Sequence, residues 1–521
     1  MMHRTVPGDC HVLLLERDRM LLRGTASSTR RVFFAAARQL AGSSARLVAD
    51  VVGASIDHSS VATRLSFPGL PPAFDSPMWS GVEAVPEGSI LELRRAGAPR
   101  VKQWWSPPPA TLSLREGSSS FGQRLIDAVR LRTASGLELS ADVSGGLDST
   151  PVAYLADVQA PTRLRTFTSS GRDGMDEDLQ YATRALNQFR TRARIIIPSA
   201  EMPVAFADIE ECDVLWDEPF VGMPHWKRIS WTAETVRTHG SRLHLSGHGG
   251  DEVLLTPTGY VHDLTRRHPL AGLRRAWQFK SLHHWSAAAT HRLLWERTSL
   301  GGALRKEIAA IENETIPVRE APNPWGVSPF RLPQWATSEA RQLAVSALAE
   351  VAGRAPVYAA TRAQHAAYSY AIASGRAASA IAGAMARRGV EFAAPLIDDQ
   401  VLEAALRIRP DEKMTPHVYK PLMKAALGGR VPTEILARAT KADGSPDVHR
   451  GHGRFRDKIL DYMADSRLAE LGLIDLDGFR TSFANMDINR VPPVAFWRTL
   501  ALEQWLRTAS APSARPDQET T

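Results

Sequence analysis

Between Val12 and about Trp105 apolar residues come in short runs separated by turn formers, as at Gly69-Leu70-Pro71-Pro72 and Pro86-Glu87-Gly88, which predicts a small β-rich domain. Residues 106–120, SPPPATLSLREGSSS, are rich in Pro and Ser and read as a linker. The period then changes. Phe121, Leu125, Ala128, Val129 and Arg132 recur at helical spacing, whereas Leu137, Leu139, Ala141 and Val143 alternate as in a strand. Further strands are predicted at Arg165–Thr168, Arg194–Ile197 and Arg242–Leu245, with helical patterns at about 177–189, 201–212 and 227–239 between them. Such alternation builds an α/β doubly wound parallel sheet, whose ligands bind at the carboxyl ends of the strands. From His262 onward the pattern is mostly helical, broken by a Pro-rich stretch at 316–334 read as a surface loop. The final SAPSARPDQETT has too little apolar content to order itself.

Composition narrows the classes. The 521 residues are 44% hydrophobic and 23% charged, the balance of a folded protein long enough for two or more cores. With 63 basic residues interleaved among 56 acidic ones, the formal charge of +7 suits an anionic ligand or an acidic peptide. It does not require nucleic acid, and no basic run interleaved with aromatics stands out. Cys10 and Cys212 have no metal-type spacing, Cys10 is read as a buried small hydrophobe, and a reducing cytoplasm fits best. The apolar run Val12–Leu15 is too short for a signal-peptide core, and no membrane span is read.

The candidate chemistry sits at two predicted strand ends. The strand ending at Val143 runs into Ser144-Gly145-Gly146-Leu147-Asp148-Ser149-Thr150, followed by a helical pattern. Glycines there let backbone N–H groups approach phosphate oxygens, and the start of a helix adds favourable potential. No lysine follows the turn, so this is not the nucleotide loop that ends in Gly-Lys-Ser/Thr. Asp148 offers instead a hard oxygen ligand suited to Mg²⁺ carrying pyrophosphate. The second strand ends in Ser246-Gly247-His248-Gly249-Gly250-Asp251-Glu252, which brings a second glycine loop and a second aspartate, Asp251, to the same metal–pyrophosphate cluster.

SGGLDS together with SGHGGDE resembles the paired signature of the asparagine-synthetase synthetase domain, a branch of the ATP-pyrophosphatase (PP-loop) superfamily. RTFTSS at 165–170, the Asp217-Glu218-Pro219 loop, Pro395-Leu396-Ile397-Asp398, YKPLMKAAL at 419–427 and Lys441 in ATKADGS match the family in order, over about 120–508. The resemblance implies an adenine nucleotide α-hydrolase-like synthetase domain at 116–508 with a helical C-terminal part. A degenerate Ntn-glutaminase-like domain at 1–115 would precede it and a disordered tail at 509–521 would follow. It implies ATP and Mg²⁺ as cofactors. Nucleotide contacts would come from Ser144, Gly145, Gly146, Leu147, Asp148, Ser149, Ser246, Gly247, Gly249 and Gly250, with Thr168 at a strand end beside adenine. Metal ligation would fall to Asp148 and Asp251, and Lys441 would stabilise charge on the α-phosphate and acyl-adenylate. His248 stands where relatives carry a glutamate or tyrosine thought to help deprotonate the amine, and an imidazole is a sensible base near neutral pH.

Glutamine-dependent relatives expose a cysteine after the initiator methionine, whereas this chain begins Met1-Met2-His3, so the nitrogen is expected from the substrate itself. β-Lactam synthetases and lasso peptide cyclases share that logic. MWSGVEAVPEGSILEL, followed by Trp104-Trp105 and the Pro-rich stretch, is similar to the bacterial lasso cyclases. The expectation is an AMP-forming ligase that closes a precursor peptide into a macrolactam, with a leader-binding protein and a leader peptidase as partners. β-Lactam synthetase or another asparagine synthetase-like amide ligase, and then a tRNA-modifying PP-loop enzyme, are the alternatives.

Overall fold

The computed structural model describes residues 6–66, 71–170, 177–312, 321–327, 330–438, 445–484 and 493–509. Among the described residues seven strands precede the linker: β1 (Val12–Leu15), β2 (Arg19–Arg23), β3 (Phe33–Ala35), β4 (Leu40–Gly42), β5 (Glu83–Ala84), β6 (Ser89–Arg94) and β7 (Arg100–Gln103). They form two antiparallel sheets, ordered β1-β2-β6-β7 and β4-β3-β5. Val32, Phe34, Val85, Leu91 and Leu93 make a small core between them. Phe33 points the opposite way, into a cluster shared with Trp79 and with Trp505 of the C-terminal helix Pro493–Ala509. This part of the chain is therefore packed onto the body behind it.

The body is a five-stranded parallel sheet of β8 (Leu139–Asp142), β9 (Leu164–Ser169), β10 (Arg194–Ile197), β11 (Leu243–Leu245) and β12 (Glu391–Ala393), ordered β10-β9-β8-β11-β12. The chain starts in the middle at β8, winds outward through β9 and β10, and returns to lay β11 on the other side of β8. The strand order thus reverses between β8 and β11, where α/β sheets place their ligands. Both faces are covered by helices. Leu139, Ala141, Leu164 and Leu243 pack on the helices Leu114–Thr133 and Ser149–Gln159. Phe167 and Ile197 pack on Ala233 and Val236 of the helix Trp226–Thr238.

Several expectations are corrected. The linker ends early, because Ser113 and Glu116 form a reciprocal cap and the helix runs from Leu114 through the Ser-rich stretch. Gly117 and Gly122 let this helix press on Ile408 and on the Ala426 carbonyl. Residues 201–212 form turns with one short 3₁₀ segment, Ile209–Glu211, since Phe206 and Asp208 adopt left-handed backbone angles that no helix accepts. The Pro-rich stretch is not superficial where it is described: Phe330 joins a core with Leu300, Leu304 and Leu348. Cys10 is exposed, not buried, while Cys212 is buried. The helix Pro493–Ala509 reaches Ala509, and the tail beyond lies outside the described residues. Among the described residues no helix is long and apolar enough to cross a membrane.

The long helix Arg362–Ala386 and the turn after β12 tie the two parts together. Gly375 lies so close to the Ser27 carbonyl that a Cβ would overlap it, and the Tyr368 hydroxyl donates to the Ala26 carbonyl at 2.6 Å. Arg376 pairs with Asp75 at 2.6 Å and Glu87 at 2.8 Å. Asp398 is held by buried Arg132, and Asp399 accepts from Ala26 N at 3.0 Å and from Ser27 N and Oγ at 2.9 Å. Burial pushes the Asp399 carboxyl up to about 6, although the Ala26 and Ser27 donors pull the other way. A carboxyl whose pKa rises on folding binds its proton more tightly in the native state. Its contribution is complete below the unfolded value and is lost as pH rises through about 6. Thermal midpoints should therefore fall between about pH 4 and pH 7, and Asp399→Asn should flatten that part of the profile. Parallel profiles in the two proteins would remove Asp399 as the cause.

Candidate active site

The two glycine loops meet at the switch point. The first leaves β8 and feeds the helix Ser149–Gln159; Gly145 has a φ of 73°, and a Cβ there would press on Tyr181 and Ala182. Ser144 Oγ and Ser149 Oγ are 2.8 Å apart and brace the turn, while Leu147 is sunk in the core, so that its backbone is what it offers a ligand. The second loop leaves β11 and feeds the short helix Gly250–Leu254. Gly247 and Gly250 allow contact between the loops: a Cβ at Gly247 would overlap Ser149 N, and one at Gly250 would overlap Asp148 Oδ1. Ser246 N donates to the Ala393 carbonyl at 2.9 Å and its hydroxyl accepts from His248 N, which fixes this loop to β12. Gly249, with a φ of 84°, lets the chain pass over Ile397.

Lys420 sits between the two aspartates. Its ammonium, fully buried, pairs with Asp148 Oδ2 and with Asp251 Oδ1 at 2.8 Å. Burial works against its charge, yet Asp148 and Asp251 outweigh that and hold the pKa above the usual lysine value. The sequence reading quoted the segment YKPLMKAAL without giving Lys420 a role. The available signal was a lysine directly before the Pro that opens a buried helix, Pro421–Leu427. Lys420 itself takes a left-handed backbone, with a φ of 48°, to reach inward.

Asp148 and Asp251, both within reach of one ammonium, are the hard oxygen donors that a Mg²⁺ would take. Among the described residues no larger cluster of His, Cys, Asp or Glu gathers as a metal site. That suits Mg²⁺, which keeps several waters and takes phosphate oxygens beside one or two carboxylates. The donor set therefore fits a Mg²⁺–pyrophosphate group, with Lys420 as a second positive charge.

The remaining predicted residues have definite places. Thr168, at the end of β9, donates from its hydroxyl to the Val143 carbonyl at 2.9 Å and so pins the start of the first loop. His248 Nε2 lies 3.0 Å from the Ser374 carbonyl and 3.3 Å from Ser374 Oγ, which itself donates to Glu252. A carbonyl only accepts, so Nε2 carries the proton and Nδ1 is the nitrogen with the lone pair. Lys441 lies outside the described residues. Arg438, three residues earlier, was not singled out in the sequence; it reaches the Ser144 carbonyl at 3.4 Å and pairs with Asp178, which ties the start of that segment to the first loop.

A cleft of about 700 Å³ opens between the N-terminal sheets and the helix Arg362–Ala386. Small residues of that helix, among them Ala373, Ala377 and Gly383, form one wall; Phe33, Phe74 and Trp216 form others. Glu218 is held down to about 2, because Arg31, Arg376 and Arg64 outweigh the cost of its burial. Arg498 also lines the cleft; burial pushes its pKa down to about 10, and its buried Nε has no hydrogen-bond partner among the described residues. The cleft adjoins the second loop through Phe392, whose ring meets that of His248, and through Ala373, the neighbour of Ser374.

The family profile described as asparagine synthase matches residues 120–507. Among curated proteins, a putative glutamine-hydrolysing asparagine synthetase of Methanocaldococcus jannaschii is 32% identical over 190 residues, 34% of this chain and 35% of that protein. The match thus spans about a third of the relative's length.

Removing the ammonium between the loops leaves two carboxylates facing each other. Lys420→Met is expected to melt at a lower temperature than the parent in chelator, and Mg²⁺ should raise its midpoint more than it raises the parent's. Equal responses to Mg²⁺ in thermal-shift assays would show that Lys420 does not share the cation's site.

Proposed function

This chain belongs to the asparagine synthase family, and we propose that it is an ATP-dependent amide-forming ligase that closes a peptide into a macrolactam of the lasso type. A side-chain carboxylate of the peptide attacks the α-phosphate of ATP, pyrophosphate leaves, and an acyl-adenylate forms. The peptide's N-terminal amine then attacks the acyl carbon, loses a proton, and expels AMP. Asp148 and Asp251 would hold Mg²⁺, which would supply positive charge toward the pyrophosphate. The protein's own groups bind and orient: the glycine loops at 144–149 and 246–250 meet phosphate oxygens with backbone amides other than those bonded within the fold, Ser246 and His248 among them, and the Lys420 ammonium lies where pyrophosphate charge accumulates. His248 Nδ1 is the lone pair available to take the amine proton.

One observation carries the choice of a peptide over ammonia or a small amino acid. The cleft beside the His248 loop, about 700 Å³ with aromatic walls and Arg498 at its edge, has the volume and chemistry of a site for several residues. Holding amine and activated carboxylate of one chain together there makes the attack intramolecular. On this reading the N-terminal sheets, glutaminase-like in origin, serve as a wall of the substrate site, and a leader-binding protein and a leader peptidase supply the free N-terminal amine.

Incubation with ATP, Mg²⁺ and the leader-cleaved form of a short precursor encoded beside the gene should remove one water from the peptide and yield one AMP. Asp148→Asn should abolish both. An ammonia-derived amide in the mass spectrum would overturn the cyclase while leaving the adenylating ligase in place. Lys441→Met should retain ATP binding yet lose turnover on the order of a hundredfold, as when one strong electrostatic stabiliser is removed from a desolvated site. Near-normal turnover in the folded variant would rule out that role for Lys441.

A further inference from the structure

The helix Pro269–His283 buries Gly272, Ala276 and Phe279 and leaves Leu270, Leu273 and Trp277 exposed at 85%, 46% and 64%. Spacings of three and four place those three in one stripe along the helix. Leu282, near the end of the same helix, and Trp295, at the end of the helix Ala287–Trp295, are more than half exposed as well. Large apolar side chains gathered on one surface mark an interaction site.

Along this stretch of the chain the charge has one sign, and Asp411, which packs against it from elsewhere in the fold, is paired with Arg267. Between Asp263 and Glu296 the chain carries Arg266, Arg267, Arg274, Arg275, Lys280 and Arg292 and no Asp or Glu. Some of these are used internally: Arg275 donates to the Tyr260 hydroxyl and the Met414 carbonyl, and Arg267 lies 3.6 Å from Asp411. Arg274 is exposed within the stripe, and the Lys280 ammonium lies 4.7 Å from the centre of the Trp277 ring.

We propose that this face is a peripheral membrane-binding surface that seats on anionic lipid headgroups. A leaflet offers continuous negative charge with an apolar interior a few ångströms behind it. Tryptophan and leucine enter the headgroup boundary while arginine and lysine meet phosphates above them. A protein partner would have to concentrate acid around an apolar pocket to match a surface with no acid of its own over this stretch. Attachment by such a face needs no spanning helix. It is also independent of the catalytic proposal, since none of these residues belongs to the loops or the cleft.

The full-length protein should co-sediment with extruded vesicles of phosphatidylcholine containing about 30% phosphatidylglycerol, and much less with phosphatidylcholine alone. Raising salt from about 0.1 M to about 0.5 M should weaken the binding. The pair Leu270→Ser with Trp277→Ser and the pair Arg274→Glu with Lys280→Glu should each reduce partitioning at least about tenfold. All four positions face solvent at least in part, so folding is checked by circular dichroism and by unchanged ATP binding. Failure to bind anionic vesicles, or equal binding by the parent and both variants, would overturn the proposal. So would a concentration-dependent dimer, lost in the Trp277 variant, without vesicle binding, because the face would then join two copies of the chain.

Discussion

The site depends on how closely two loops can approach. Gly247 and Gly250 bring the backbone after β11 against Ser149 and Asp148 of the loop after β8, at separations where any Cβ would overlap its neighbour. Without that contact the two aspartates would not share one ammonium, and Lys420 would be a buried charge without adequate compensation. The sheet order makes the contact available, because β8 and β11 are neighbours although a hundred residues separate their sequences.

The helix Arg362–Ala386 extends this arrangement outward. Ser374 meets His248 and Glu252, Gly375 seats the turn at Ser27, Arg376 gathers Asp75 and Glu87, and the small residues beyond leave room for the cleft. Successive residues of one helix thus meet the second glycine loop, the junction and the wall of the cleft. The stretch reads in sequence as an ordinary alanine-rich helix. Its small side chains are what allow another backbone and a ligand space to lie so near its axis.

Charges buried along the junction are held in groups. Arg132 holds Asp398, Arg376 holds Asp75 and Glu87, and Arg31 and Arg64 hold Glu218. Desolvation makes such groups poor sources of net stability, but breaking one leaves an uncompensated charge, so each fixes how its segments dock.

The sequence by itself determined four of the five strands of the sheet and the two glycine loops with their aspartates, because each rests on local rules, while β12 gave no such signal. Alternation makes a strand, glycine after a strand makes an anion loop, and both signals lie within a few residues. It misread the Ser-rich start of the helix at Leu114 and the turn at 201–212, where a cap, glycine packing and left-handed residues override composition. Tertiary structure alone decided that Lys420 reaches between the aspartates, that Arg438 anchors to Ser144, and that a cleft opens beside His248. These depend on residues hundreds of positions apart meeting within hydrogen-bond distance. No local pattern encodes such meetings, because the topology of the sheet and the packing of helices upon it set them.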